Sequence, residues 1–231
     1  AVTGESPSVP SRQRRMAARV LRRIGIAHRT VDLKELEIPE YRANSPNRCF
    51  VCRDELFARL QALARECGSS AVLDGLNADD LSDFRPGRKA AEKHRIRSPL
   101  VEVGLRKEEI RELSRRAGLP SADEPASACL ASRFPYGVPI TEEKLKVVDR
   151  GEEALSAMGF RLFRVRHHEH LVRLEFGPDD LPKALNPEIA GRLAALFKSL
   201  GYQYVTLDLE GYRTGSANEV LPTREPGLFD V

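Results

Sequence analysis

Ala71-Val72-Leu73-Asp74-Gly75-Leu76-Asn77-Ala78-Asp79-Asp80 passes from an apolar triplet straight into acids and an amide. The triplet reads as a short buried strand, and in open α/β sheets ligands gather beyond the carboxyl ends of strands. The loop after Leu73 is therefore the first place to look for a site. Its candidate residues are Asp74, Asn77, Asp80 and, further on, Arg85, with Asp79 and Asp83 beside them. Plain solvation of a polar loop is the competing reading.

Upstream, Ser11 to Ile24 repeats Ala17, Val20, Leu21 and Ile24 at helical spacing and carries six arginines. Ala27 to Leu33 alternates as a strand does. Ile38 to Arg48, with Pro39, Asn44, Pro46 and Asn47, has loop chemistry. Asp54 to Cys67 is helical through Leu56, Leu60 and Leu63. Downstream, Glu108 to Ala117 is a helix stopped by Gly118 and Pro120. Strand and helix alternate to about residue 120, which implies a parallel sheet with covering helices. The second half differs. A helix over Thr141–Met158 starts with Thr141 as cap. A hairpin then joins Arg161–Arg166 to Leu171–Phe176 across His167-His168-Glu169-His170. A helix over Pro187–Leu200 and a strand over Tyr202–Leu209 follow. The division expected is an α/β domain over 1–126 and a smaller α+β domain over 127–231, linked around Pro120–Gly137.

The 231 residues are 41% apolar and 31% charged, ordinary for a folded protein. No run approaches the ~20 apolar residues of a membrane span. The net charge of +3 leaves no bulk nucleic-acid footprint, so nucleic acid is not the expected partner. The arginines of Ser11–Ile24 read as a solvated helix face, with an RNA or acidic-protein surface as the sharper alternative. Four irregularly spaced cysteines do not form a secreted disulfide framework, so a cytoplasmic setting is expected.

The cysteines carry the chemistry. Cys49 and Cys52 form a C-x-x-C, and Cys129 stands far downstream in Ser127-Ala128-Cys129-Leu130-Ala131-Ser132-Arg133-Phe134-Pro135-Tyr136-Gly137. Three thiolates are too few to close a structural Zn site. They suffice for three irons of a [4Fe–4S] cluster, or for one sulfur donor with two assistants. A Zn half-site, or buried thiols without chemistry, are the plain alternatives. Cys67, at a helix end before Gly68, reads as packing rather than as a fourth ligand. Arg164 and Arg166 lie two apart on a strand and share a face, which suits a phosphate; salt bridges to Glu175 or Glu169 would be the structural alternative. His167, His168 and His170 read as a polar hairpin tip.

Several blocks together resemble a known family: Val72–Asp80 with Asp83-Phe84-Arg85-Pro86-Gly87, Pro125–Gly137, Phe163–His168, and Tyr204–Leu209 leading into Gly211-Tyr212-Arg213. They resemble, in order and over nearly the whole chain, the LarE-type ATP-dependent sulfur transferases of the PP-loop pyrophosphatase superfamily. The resemblance implies an adenine nucleotide alpha hydrolase-like, Rossmann-like first domain. It also implies sulfur transfer to a pyridinium dicarboxylate mononucleotide on the way to a nickel-pincer nucleotide. ATP with Mg²⁺ would adenylylate a carboxylate, and sulfur would then displace AMP. In the family the cysteine matching Cys129 either surrenders its sulfur or anchors a cluster; the added Cys49 and Cys52 place this chain with the cluster group. The resemblance assigns the substrate phosphate to Ser132, Arg133, Arg164 and Arg166, and a divalent ion near the substrate to Glu152 and Glu175. A sulfide donor and a second copy of the chain are the expected partners. The superfamily's Ser-Gly-Gly-x-Asp-Ser loop does not occur in these residues, so the chain is expected to lack the first β-α unit, and with it the adenylylation step. A tRNA 2-thiolation enzyme and a non-catalytic binding module are the alternative functions.

Overall fold

The computed structural model describes residues 1–81 and 86–221. It is a mixed α/β protein that divides into two units. The first comprises Ala1–Ala131 and Tyr136–Lys146, the second Ser132–Pro135 and Val147–Val231.

In the first unit, β1 (Val2–Glu5) and β2 (Arg29–Asp32) pair in parallel, with Val2 opposite Arg29. Parallel neighbours need a crossover, and α1 (Ser11–Ile24) supplies it. The helix follows the spacing read from its sequence. It ends at Gly25, whose φ of 74° a glycine adopts without strain and whose N–H closes on Leu21. Next come α2 (Pro39–Arg42), α3 (Arg48–Glu66), α4 (Gly87–Lys93), α5 (Pro99–Glu102) and α6 (Lys107–Arg116). Phe57 of α3 is buried against Ala90 and Ala91 of α4, with Phe50, Leu56, Leu60 and Ile96 around them. At Gly87 a Cβ would stand 3.0 Å from Arg53 Cγ, so glycine lets the two helices close up.

Three expectations fail here. The segment before Arg48 is not all loop, because Pro39 opens α2 from a first position where its missing N–H is harmless. The helix expected from Asp54 begins at Arg48, since no residue from Cys49 to Arg53 breaks it; the C-x-x-C therefore lies on a helix, not a loop. The expected strand Ala71–Leu73 is reduced to one bridge from Leu73 to Arg97, and Leu73 is 57% exposed. An apolar triplet specifies neither strand length nor burial without flanking strands to pair it.

The chain enters the second unit for good inside α7 (Glu142–Ala157), at Val147. Thr141 Oγ1 accepts the Lys144 N–H at 3.3 Å, the cap expected of it. β3 (Phe163–His168) and β4 (Leu171–Phe176) form the hairpin, and β5 (Tyr204–Leu207) runs parallel to β4 on its other side. The turn is tighter than expected. His167 and His168 stay in the strand, and Glu169 turns the chain at φ 53°. α8 (Leu181–Ala184) and α9 (Pro187–Ser199) complete the unit. Val148, Leu155, Phe160, Val165, Val172, Leu174, Phe176 and Phe197 are its buried core. No described helix is long and apolar enough to cross a membrane.

Candidate functional site

In the first unit, Cys49 and Cys52 stand in the opening turn of α3, three positions apart and so on one face. The Leu130 N–H donates to the Ser8 carbonyl at 2.8 Å, which draws Cys129 toward the turn at Ser6–Ser8. That turn is a buried polar network. Ser6 Oγ donates to Glu35, the Ser8 N–H donates to Ser6 Oγ at 2.9 Å, and Ser8 Oγ meets the Tyr41 hydroxyl at 2.7 Å. Burial pushes the Cys52 thiol up to about 12, and the charges of Cys129, Glu35 and Cys49 add to the rise. Burial, then Cys129 and Cys52, likewise raise Tyr41. The Cys52 thiol thus senses both Cys129 and Cys49, while Cys67 is exposed and accepts from Arg29 Nη1 at 3.5 Å. Among the described residues no three or more His, Cys, Asp or Glu side chains are grouped so as to hold a metal ion.

The loop after Leu73 spends much of its polarity on itself. Asp74 accepts from Ser98 Oγ at 2.7 Å, Arg53 at 3.3 Å and the Leu76 N–H. Asn77 accepts the Asp79 N–H, and Asp80 accepts the Asn77 N–H, both at 3.1 Å. Arg53 follows Cys52, so the Asp74 pair ties the thiol-bearing helix to this loop. Arg85 and Asp83 lie outside the described residues. A cavity of about 490 Å³, lined by Val2, Leu60, Leu63, Val72 and Leu73 among others, holds none of the expected site residues.

In the second unit, three arginines converge. Arg133 grips Glu152 through Nε and Nη2 at 2.7 and 3.0 Å. Arg166 grips Glu175 through the same pair of nitrogens, both at 2.8 Å. Its Nη1 donates to the Ser132 carbonyl at 2.9 Å, and Ser132 Oγ accepts from Arg133. Both carboxylates expected near a divalent ion are thus held by guanidinium forks, an arrangement of strong charge-assisted bonds. The Arg166–Glu175 pair is the salt bridge weighed from sequence, but it is buried rather than on the strand surface. Arg164 differs. Its guanidinium lies 4.8 Å from the Tyr212 ring, and its Nη1 donates to the Phe163 carbonyl. Tyr212 is set there by its own N–H bond to the Phe176 carbonyl, made through Gly211 at φ 69°, where a Cβ would come within 2.6 Å of that oxygen. Burial, and then the charge of Arg133, push the Arg164 pKa down to about 10. A cation so disfavoured is stabilised by any anion brought beside it.

No family model matches the chain. An uncharacterised protein of Synechocystis sp. is 44% identical over 221 residues, 96% of this chain and 82% of that protein. A pyridinium-3,5-bisthiocarboxylic acid mononucleotide synthase of Lactiplantibacillus plantarum is 35% identical over 189 residues, 80% of this chain and 67% of the synthase. The chain belongs to the LarE family. An uncharacterised protein of Methanocaldococcus jannaschii is 32% identical over 184 residues, 80% of this chain and 71% of that protein.

Sequence reasoning missed Ser6, Ser8, Glu35, Tyr41 and Arg48 of this LarE chain. Nothing local marks the first four, because their burial comes from partners about 30 residues away. Arg48 did carry a signal, since a cation in the first turn of a helix opposes the helix dipole. Glu35 is fully buried, and burial raises its pKa against the opposing hydrogen bond from Ser6. The folded state then holds this proton more tightly than the unfolded chain does. Its contribution to stability is complete below the ordinary value of 4.5 and is lost as pH rises through the raised one. Urea midpoints of the parent should therefore fall from pH 4.5 toward neutrality, and Glu35→Gln should flatten that slope. An unchanged slope in the variant would assign it to other groups.

Proposed function

We propose that this chain is a sulfurtransferase that thiolates a carboxylate of a pyridinium mononucleotide, in a PP-loop-type first domain joined to a substrate-binding second one. The observation that carries the reading is the pair Cys49 and Cys52 on one turn of α3, with Cys129 near enough to bear on the Cys52 thiol, in a relative of a bisthiocarboxylic acid synthase.

The chemistry implied has two steps, the first of which needs the Ser-Gly-Gly-x-Asp-Ser loop that these 231 residues do not contain. A carboxylate oxygen attacks the α-phosphorus of Mg·ATP and pyrophosphate leaves, because carboxylate oxygen is by itself a poor leaving group. A sulfur nucleophile then attacks the acyl carbon and AMP leaves with the bonding electrons. The adenine nucleotide belongs beside Asp74, Asn77, Asp80 and Arg85, which would meet Mg²⁺ and the phosphates. The substrate phosphate belongs with Arg164, flanked by Ser132, Arg133 and Arg166. Glu152 and Glu175 hold the two outer guanidiniums in place. Cys129 is the residue closest to the chemistry, as donor or as anchor.

We propose an iron–sulfur cluster on the family resemblance, since among the described residues the three thiols are not grouped so as to hold a metal ion. Burial raises the Cys52 thiol, and a bound metal's charge would favour loss of its proton. Cys49, Cys52 and Cys129 would hold the cluster, and an iron left open by only three ligands can carry the sulfide to be transferred. Anaerobic reconstitution tests this directly. Iron bound by the parent should fall sharply in Cys49→Ser, Cys52→Ser and Cys129→Ser and stay level in Cys67→Ser. Equal iron in Cys49→Ser and the parent would remove the cluster from the scheme.

The exposed arginines of α1, namely Arg14, Arg15, Arg19, Arg22 and Arg23, favour one second reading, that of an RNA-thiolating enzyme. Filter binding of bulk tRNA separates the two: salt-sensitive binding at micromolar concentration would favour RNA.

A further inference from the structure

Arg48 occupies the first position of the 19-residue helix α3, where the helix dipole disfavours a cation. The first turn of α3 contains no acid, and Asn47 makes no side-chain cap. Arg48 is nonetheless only 5% exposed. Among the described residues its Nε and Nη1 have no hydrogen-bond partner. The Tyr136 ring lies 4.7 Å from its guanidinium. The Gly137 N–H, bonded to the Asn44 carbonyl at 3.1 Å, keeps that ring at the upstream end of the helix. A buried cation with two idle donors lacks the polar partners its burial demands.

We propose that the Arg48 guanidinium forms a subsite for a carboxylate of a small-molecule ligand. Charge balance selects the class. One guanidinium neutralises one negative charge, and a carboxylate group carries one. Shape agrees. Tyr136 covers a face of the guanidinium, so a ligand meets the in-plane N–H edges, which a flat carboxylate matches. Cys49 is the next residue, and Cys52 one turn on. If the thiolation reading holds, on which this step rests, the subsite presents an acceptor carboxylate to the sulfur donors.

The test uses the full chain without metal or ATP, titrated calorimetrically with pyridine-3,5-dicarboxylate and with the corresponding diamide. The parent should bind the dicarboxylate and not the diamide. Arg48→Gln should weaken binding about tenfold or more, the scale of a lost charge-assisted hydrogen bond, and Arg48→Lys should keep part of it. In the parent protein the ¹⁵N signal of Arg48 Nε–H should shift with the dicarboxylate alone, a readout that stands if a variant does not fold. No binding by the parent, an unmoved Nε–H signal, or equal affinity in Arg48→Gln would overturn the subsite. Tighter Arg48-dependent binding of inorganic phosphate or hydrosulfide would overturn the carboxylate assignment. The probe carries no phosphate and needs no iron, so these results stand apart from the phosphate and cluster tests of the thiolation reading.

Discussion

Glu175→Leu should lower the free energy of unfolding by about 3–5 kcal/mol, the usual loss when one partner of a buried ion pair is removed. Glu175 is fully buried and receives both nitrogens of the Arg166 fork as well as Arg173. Without it, the Arg166 guanidinium, 10% exposed, loses its counter-ion in a site with little water to screen it, while Arg173, 39% exposed, keeps Asp208. Against a typical total of 5–15 kcal/mol that is a large fraction. The loss comes from the orphaned charge rather than from the pair's net worth, so Arg166→Met combined with Glu175→Leu should recover most of it. Urea midpoints at constant m would measure both effects. A single-mutant loss under about 1 kcal/mol would place the pair in the class of solvated surface bridges.

The second large effect concerns ligand binding. Arg164→Met should weaken the pyridinium mononucleotide by about 1.5–3 kcal/mol, the scale of hydrogen bonds to a charged group. The dephosphorylated nucleoside should bind the variant and the parent alike. Lysine at 164 should restore only part, since a point charge does not reproduce the fork. From sequence the two strand arginines looked equivalent; the structure separates them. Arg166 is committed to Glu175, so its loss should be felt mainly as instability. Arg164 is the guanidinium that burial and Arg133 disfavour, so its loss should be felt in affinity. Equal weakening of nucleoside and nucleotide would make Arg164 structural and end the phosphate assignment.

What was legible in the sequence was what local patterns encode. The period of Ala17, Val20, Leu21 and Ile24 gave α1 to the residue, and Thr141 marked the start of α7. The two-residue spacing of Arg164 and Arg166 put both on β3. Local pattern failed where pairing decides the outcome. Leu73 has the composition of a core strand but makes a single bridge. The charge relations were the least legible. Arg133 meets Glu152 across 19 positions and Ser8 meets Tyr41 across 33, distances at which no periodicity operates. Arg85, named from the loop after Leu73, lies outside the described residues.

The order in which the two units share the chain has an evolutionary consequence. Ser132–Pro135 belongs to the second unit, while Ala131 before it and Tyr136–Lys146 after it belong to the first. Two of the residues given to the substrate phosphate, Ser132 and Arg133, thus lie within a four-residue excursion from the other unit's chain. No single recombination breakpoint can exchange either unit whole. A crossover before Ser132 carries Tyr136–Lys146 away from its unit, and one after Lys146 leaves Ser132 and Arg133 behind. Neither unit can be exchanged whole at one breakpoint, so the residues of both must be inherited together and diversify by substitution in place.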